Sequence, residues 1–302
     1  MNKTDVLEHL NYINSHNGMP QEAILEINSL VERIYDDNDF AAVCETIVSK
    51  IFENDNCEGE IDALSNKYGI YPNMLKLVIC QLCSIEKKRV CMEAGLSEAH
   101  FLEQMLDMAV WTKTNYELNG KWGLAEYGWN LSTIRGGITR LGRMQCENPH
   151  VLKEDLGITL GGIELKAGMT VVGLHIPEGD SLTKEKRLDS YKRIYEYHKL
   201  QGPCIFECES WLFHPLNEQM LPATSNILDF MRDFHIVEFA ETGTGDMWRV
   251  FGRHWQTAKN NYDLLPLDTG LRRAYADLLK SGKKPAAGHG VFIYDGENFY
   301  NK

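Results

Sequence analysis

Two acids and a histidine carry the strongest chemical signal in the sequence. The run Cys204-Ile-Phe-Glu-Cys-Glu-Ser-Trp-Leu-Phe213 reads as a strand. Alternation puts Ile205, Glu207, Glu209 and Trp211 on one face and Phe206, Cys208, Ser210 and Leu212 on the other. Acids beside a tryptophan inside a strand are costly unless they meet partners or a ligand. In Met169-Thr-Val-Val-Gly-Leu-His-Ile-Pro177, residues Gly173, His175 and Pro177 share a face. A third run, Arg140 to Glu147, alternates Arg143, Gln145 and Glu147 against Gly142, Met144 and Cys146. These residue types serve three kinds of chemistry: a carboxylate or imidazole takes a proton, polar side chains orient a substrate, and His with Glu ligates a metal. Three polar stripes describe a lined cleft better than a plain core.

The elements that position these residues follow from changes of period. Residues 169–177 are short, β-branched and closed by Pro177, which cannot continue a ladder. After Glu178-Gly179-Asp180-Ser181 the apolar residues Leu188, Tyr191, Ile194 and Tyr195, with His198, recur at helical spacing from about Thr183. Gly202-Pro203 stops that helix before the strand at 204–213. A strand, a crossover helix and a strand are most economically parallel neighbours with a right-handed connection.

Before this unit, 138–147 reads as a strand. Gly157–Lys166 reads as another, joined to 169–177 by a hairpin turn at Ala167-Gly168. After it, Ser225-Asn226 signals the cap of a helix over 225–234. His235–Thr242 and Met247–Gly252 read as strands about a Gly243–Asp246 turn, followed by a helix at Leu271–Lys280 and a last strand at Gly290–Tyr294.

Residues 1–118 show helical periodicity and no strand signal. Thr4 reads as a first cap, Pro20 as a helix start and Asp39 as the opening of a third helix, while Gly69 and Gly95 read as helix ends. Ser97 with Glu98 begins a long helix through Leu118. A shift toward aromatic residues and glycines after Asn119-Gly120 marks the boundary, giving a helical domain at 1–120 and a second domain at 121–302. Trp122–Ile134 reads as a helix at the start of the second. Cys80-x-x-Cys83 has no second pair at finger spacing and lies in an apolar helix, so it reads as two buried thiols.

Composition bounds the function classes. With 302 residues, 43% hydrophobic and 25% charged, the chain has the make-up of an ordinary soluble protein with ample length for a core. A net charge of −12 argues against a nucleic-acid or anionic-membrane binder. No apolar run approaches the roughly 18–20 residues of a membrane span. The first residues lack the apolar stretch of a signal peptide, and eight cysteines without a framework suit a reducing compartment. The expected location is the cytoplasm. Oligomeric state is left open.

The element order and several phrases resemble a known family. Leu-Gly-Arg-Met-Gln-Cys-Glu (141–147), Leu-His-Ile-Pro-Glu-Gly-Asp-Ser-Leu (174–182), Cys-Glu-Ser-Trp-Leu-Phe-His-Pro (208–215) and Leu-Pro-Ala-Thr-Ser-Asn-Ile (221–227) look like a bacterial subgroup of GNAT-like acyltransferases. Its members join a helical N-terminal domain to a GNAT-like C-terminal domain. The resemblance implies an α+β fold, with a mixed sheet built on a central strand–helix–strand unit whose two strands splay apart. It also implies an acyl-coenzyme A donor, acetyl-CoA foremost, whose pantetheine arm enters between 169–177 and 204–213. On this reading Gly173, Leu174, Ile176, Gly179, Ser181 and Thr183 hold the donor. The loop at 177–183 departs from the family's Arg/Gln-x-x-Gly-x-Gly/Ala pattern, because Glu178 and Asp180 bring negative charge near the phosphates, with Lys184, Lys186 and Arg187 to offset it. The 225–234 helix also lacks the tyrosine that many relatives use as general acid.

Acyl transfer to an amine needs a base and donors that polarise the thioester carbonyl. Backbone near Gly173–Leu174 supplies the donors. His175, or Glu209 with its pKa raised by burial beside Trp211, takes the proton. Glu207, Arg143, Gln145, Glu147 and Trp211 orient a small-molecule or peptide amine. Each residue has a structural reading too: His175 as a hydrogen-bonded core histidine, Glu207 and Glu209 as partners of Arg143 and Arg140, Trp211 as core. Two other classes remain open, a metal-dependent hydrolase or isomerase using His175, Glu207 and Glu209, and a non-catalytic acyl-CoA-binding protein. The acyltransferase reading expects no metal.

Overall fold

The computed structural model describes residues 2–241, 243–244 and 247–302. The chain divides into two compact units, one ending at Thr139 and one spanning Arg140–Lys302.

The first unit is helical: α1 Lys3–Asn17, α2 Gln21–Tyr35, α3 Asn38–Phe52, α4 Glu58–Tyr68, α5 Pro72–Glu93, α6 Glu98–Gln104, α7 Leu106–Asn119 and α8 Tyr127–Arg135. Side-chain oxygens that accept from exposed N–H groups start several of them: Asn2 rather than Thr4 caps α1, Asp37 rather than Asp39 caps α3, and Ser97 caps α6. The helix expected from 97 to 118 is two, parted at Met105. The middle of α5, Met74–Ser84, is buried on every side. Such a helix belongs at the centre of a bundle, and α1, α2, α3, α4, α6 and α8 all pack on it. Cys80 and Cys83 lie in this stretch as buried free thiols. Because Tyr127, Leu131 and Ile134 of α8 complete this core, the division falls at 139–140 and not at 120–121, where composition shifts.

The second unit is a mixed sheet. Its strands are β1 Ile138–Leu141 (which spans the division), β2 Met144–Glu147, β3 His150–Val151, β6 Thr170–His175, β7 Cys204–Ser210, β8 His235–Phe239, β9 Gly288–Tyr294 and β10 Phe299–Tyr300. β4 Thr159–Leu160 and β5 Ile163–Glu164 form a separate hairpin. The main order is β1-β2-β6-β7-β9-β10, with β3 on the β2 edge of β6 and β8 on the β10 edge of β9. β6 and β7 are parallel, joined by α9 Lys184–Tyr197 with Thr183 at its N-cap.

One sheet face is the main core. Val172, Leu174, Phe206 and Phe292 pack there with Tyr191 and Ile194 of α9. The Phe206 and Phe292 rings stack at 5.1 Å and Tyr191 lies 4.8 Å from Phe292. Full burial of such a side chain contributes about 1.5–3 kcal/mol. On the other face, Val171, Ile205, Val291 and Ile293 meet Leu160 and Leu165, and polar residues occupy the remainder.

Three expectations change. Residues 138–147 are two strands about a turn where Gly142 has φ 73°, and 157–166 is the β4–β5 hairpin. Its Gly161 passes so near Tyr300 that a Cβ would sit 2.3 Å from the ring. Residues Met247–Phe251 are helical (α12), not a strand. They precede α13 Arg253–Ala258 and α14 Gly270–Lys280 in a small core around Tyr275. The turn expected at Gly243–Asp246 rests in part on Gly245 and Asp246, which with Thr242 lie outside the described residues. Between β7 and β8 run a 3-10 turn at Trp211–Phe213, α10 Leu216–Met220 and α11 Asn226–Met231, the last capped by Ser225 as expected.

Candidate active site

The parallel register runs Val171↔Ile205, Val172↔Phe206, Gly173↔Glu207 and stops there. Yet β6 continues to His175, and β7 stays paired with β9 as far as Ser210↔Gly288. The two central strands therefore part beyond Gly173 and Glu207. At this end a cavity of about 610 Å³ opens, with Glu147, Gly173 and His175 on one side and Glu207 and Glu209 on the other. Glu238 and Phe239 of β8 and Gly288 and His289 of β9 extend its wall.

Register explains which side chains meet. Gln145 pairs with His175 and Cys146 with Leu174, which sets Glu147 beside Gly173. A Cβ on Gly173 would lie 3.2 Å from the Glu147 carboxyl group. The missing side chain lets that carboxylate reach His175, where Glu147 Oε1 lies 2.8 Å from Nε2. Glu207 Oε2 lies 3.3 Å from His289 Nε2 and its Oε1 3.8 Å from His150 Nε2. The hydrogen bond from His289 holds the Glu207 carboxyl group below its ordinary range, with the His289 and His150 charges assisting against burial. The same bond raises His289, and Glu207, Glu238 and Glu209 add to the effect.

The residues expected from sequence divide into two groups. Gly173, Leu174, His175, Glu207, Glu209 and Glu147 line the cavity. Glu209 is exposed, so it is not buried against Trp211. The strand ends at Ser210, and Trp211 turns into the 3-10 segment, where its ring meets Tyr275 edge-on at 5.4 Å. Gln145 is buried opposite His175, and Ile176 packs against the main core.

Arg143 is not on a strand face. From the β1–β2 turn its Nε donates to the Asp180 carbonyl at 2.7 Å and its Nη1 to that of Pro177 at 2.6 Å. Glu207 therefore pairs with histidines and not with arginines. Burial and the charge of Arg140 lower the pKa of Arg143. Arg140 reaches the same loop, its Nη2 3.5 Å from where a Gly179 Cβ would stand. Lys186 Nζ is 2.8 Å from Asp180 Oδ2 and depresses that acid's pKa. The acidic loop Glu178–Ser181 is thus met by three cations.

Sequence reasoning missed His289, Glu238 and His150. His289, Val291 and Ile293 alternate on one face, but the strand signal read from sequence starts at Gly290, two residues inside β9. Among the described residues, the one trio of possible ligand atoms within 4.8 Å of one another is Asp55, Cys57 and Glu60 of the first unit. The His/Glu stripe forms no such trio, which gives the hydrolase reading no geometric support.

A helix-connected parallel pair that splays over a polar cavity defines the GNAT-like acyltransferase class. Residues 8–136 match an N-acyltransferase N-terminal domain and residues 138–292 a GNAT-like C-terminal domain. The chain belongs to this two-domain family and is an acyltransferase, as the phrases at 141–147, 174–182, 208–215 and 221–227 implied. Its fold is that of an acyltransferase solved in complex with decanoyl-CoA and teicoplanin, with TM-score 0.67 and 18% identity over 94% of this chain and 87% of that one. An acyltransferase mutant in complex with octanoyl-CoA gives TM-score 0.68 at the same identity and coverage. No curated protein matches the sequence. Among the described residues no helix is long and apolar enough to cross a membrane.

Proposed function

We propose that this protein transfers an acyl group from acyl-CoA to an amine-bearing acceptor. One observation carries the reading: β6 and β7 separate at Gly173 and Glu207, and the cavity opens where they separate. The edge of β6 beyond Gly173, where the β7 ladder stops, suits a pantetheine arm and the thioester carbonyl. The pyrophosphate then lies along Gly179–Thr183 at the N-terminus of α9, where the helix dipole favours an anion. Lys186, Arg140 and Arg143 around that loop offset its own acids. Ile176 flanks the arm from the core side.

The acceptor amine attacks the thioester carbon, the C–S bond breaks, and the amine proton passes to His175. Glu147 orients that imidazole and stabilises it when charged, the arrangement of a base held by a third group. Glu207 and Glu209 hold the acceptor. A lining that carries four carboxylates suits a short acyl group, acetyl first. Because the solved structures of similar fold hold octanoyl and decanoyl groups, the test spans acetyl to decanoyl. Thermal shift against that CoA series should show one preferred donor that raises the melting temperature, and thiol release with simple amines should follow. A protein stabilised by no acyl-CoA at millimolar concentration would overturn the reading.

A further inference from the structure

We infer that the acceptor is a polycation, carrying at least one fixed ammonium group besides the amine that is acylated. This rests on the acyltransferase reading and specifies the substrate class of the same cavity. The wall carries four carboxylates, Glu147, Glu207, Glu209 and Glu238, from three strands, and no lysine or arginine among its described lining residues. Neutral or zwitterionic acceptors would need a cation to hold their own carboxylate or would leave the acids unanswered. Three histidines stand near these four carboxylates, His175, His289 and His150, the last 3.8 Å from Glu207, and they do not balance the charge. His175 is engaged with Glu147, and a protonated His289 offsets only one of the three acids around it, Glu207, Glu209 and Glu238. The excess negative charge therefore lies on the β7–β8 side of the cavity, across the opening from His175.

This asymmetry assigns the two ends of the acceptor. The reacting nitrogen sits at His175, where the proton leaves and the thioester carbon is attacked. A second ammonium sits against Glu209, Glu238 and Glu207. β7 is the direct neighbour of β6, and adjacent strands are about 4.8 Å apart and wider where the pair splays. An ammonium against Glu207 and Glu209 therefore lies roughly 5–10 Å from the first, with Glu238, three strands from β6, beyond it. A linear diamine of three to six carbons, or an amino sugar with two amines, has that span. Glu209 and Glu238 are exposed, so they are open to a substrate arriving from solvent. A field of one sign in a cleft also speeds capture of such a cation and makes it salt-sensitive.

The test compares 1,4-diaminobutane, butylamine and glycine as acceptors with the preferred acyl-CoA. The expected result is a kcat/KM at least tenfold higher for the diamine than for butylamine, little turnover of glycine, and a diamine advantage that shrinks with added salt. Glu238→Gln should raise KM for the diamine more than it lowers kcat, with the thermal shift produced by the donor intact. Equal rates for butylamine and the diamine would overturn the inference while leaving acyl transfer standing. If no amine turns over, calorimetry of 1,4-diaminobutane and spermidine on the donor-loaded and donor-free protein decides the matter. Salt-sensitive binding weakened by Glu238→Gln supports it, and no binding overturns it. If no acyl-CoA binds but the diamine does, the donor reading falls and the cation site stands.

Discussion

His289 Nε2 lies 3.3 Å from Glu207 Oε2, across the joint between β7 and β9. The two are not directly opposite: Glu207 faces Val291, and His289 faces Glu209. The contact is a diagonal one, of the kind long side chains make across an antiparallel pair. It places a histidine among three acids, because Glu238 of β8 lies opposite His289 on its other side. The pair stiffens the wall of the cavity without bringing in a lysine or arginine.

This contact predicts a stability window in pH. Glu207 titrates below its ordinary 4.5 in the folded chain, so its share is present above that value and fades as pH falls through the folded pKa. His289 titrates above its ordinary 6.5, so its share is full below that value and fades as pH rises through the folded pKa. The contribution is greatest between about pH 4.5 and 6.5. Subtracting the unfolding free energy of Glu207→Gln from that of the parent should give a bell over this range. A flat difference would show that the pair contributes nothing to the fold.

His175 and Glu147 should separate chemistry from stability. His175→Ala should lower kcat about 10²–10⁴-fold, the usual scale for a general base, while the thermal shift given by the donor is kept. Glu147→Gln leaves the imidazole in place and should cost less. Glu209 is exposed, so Glu209→Gln should leave stability within about 0.5 kcal/mol while turnover falls. A His175 variant that melts early and keeps its specific activity at low temperature would make this a structural pair.

What was legible in the sequence follows from what periodicity can see. The central unit stood out because the period switches from 2 to 3.6 between Pro177 and Thr183, and because two acids interrupt an apolar strand at matching parity. Turns were less visible: alternation carried Arg143 onto a strand face because it takes no account of Gly142 in the left-handed region. Met247–Phe251 is too short for either period to be decided, and packing against α13 and α14 makes it helical. Composition shifts at Gly120, whereas the core of the first unit extends through α8, because a change in residue types does not report which helices pack together. His289 was hidden between two glycines, which carry no strand signal of their own.

The acidic loop gives a test of donor placement. Ser181→Glu adds a charge beside the proposed phosphate position and should weaken acyl-CoA binding. Arg143→Ala should weaken it too, because two of its hydrogen bonds hold the Pro177 and Asp180 carbonyls. Calorimetry showing unchanged affinity in both, with the fold intact, would move the phosphates elsewhere.

The last prediction concerns Arg187, which is fully buried in α9. Its Nε and Nη2 reach Asp233 at 2.6 and 3.1 Å, Nη2 reaches Asp229 at 3.0 Å, and Nη1 donates to the Leu182 carbonyl at 2.7 Å. Tyr191 also hydrogen-bonds Asp233, at 3.2 Å. Removing the guanidinium strands a buried carboxylate, which costs about 3–5 kcal/mol. Arg187→Met should therefore lower the melting temperature on the order of 10 °C for a unit of this size. Arg187→Lys should recover only part, since an ammonium cannot reproduce the two-toothed grip on Asp233. The double variant Arg187→Met with Asp233→Leu removes both charges and should return much of the stability. It should not return donor affinity, because the hydrogen bond that holds Leu182, one residue before the α9 cap, is gone in both variants. Recovery of stability and donor affinity together would show that Arg187 holds the core alone and has no part in placing the loop.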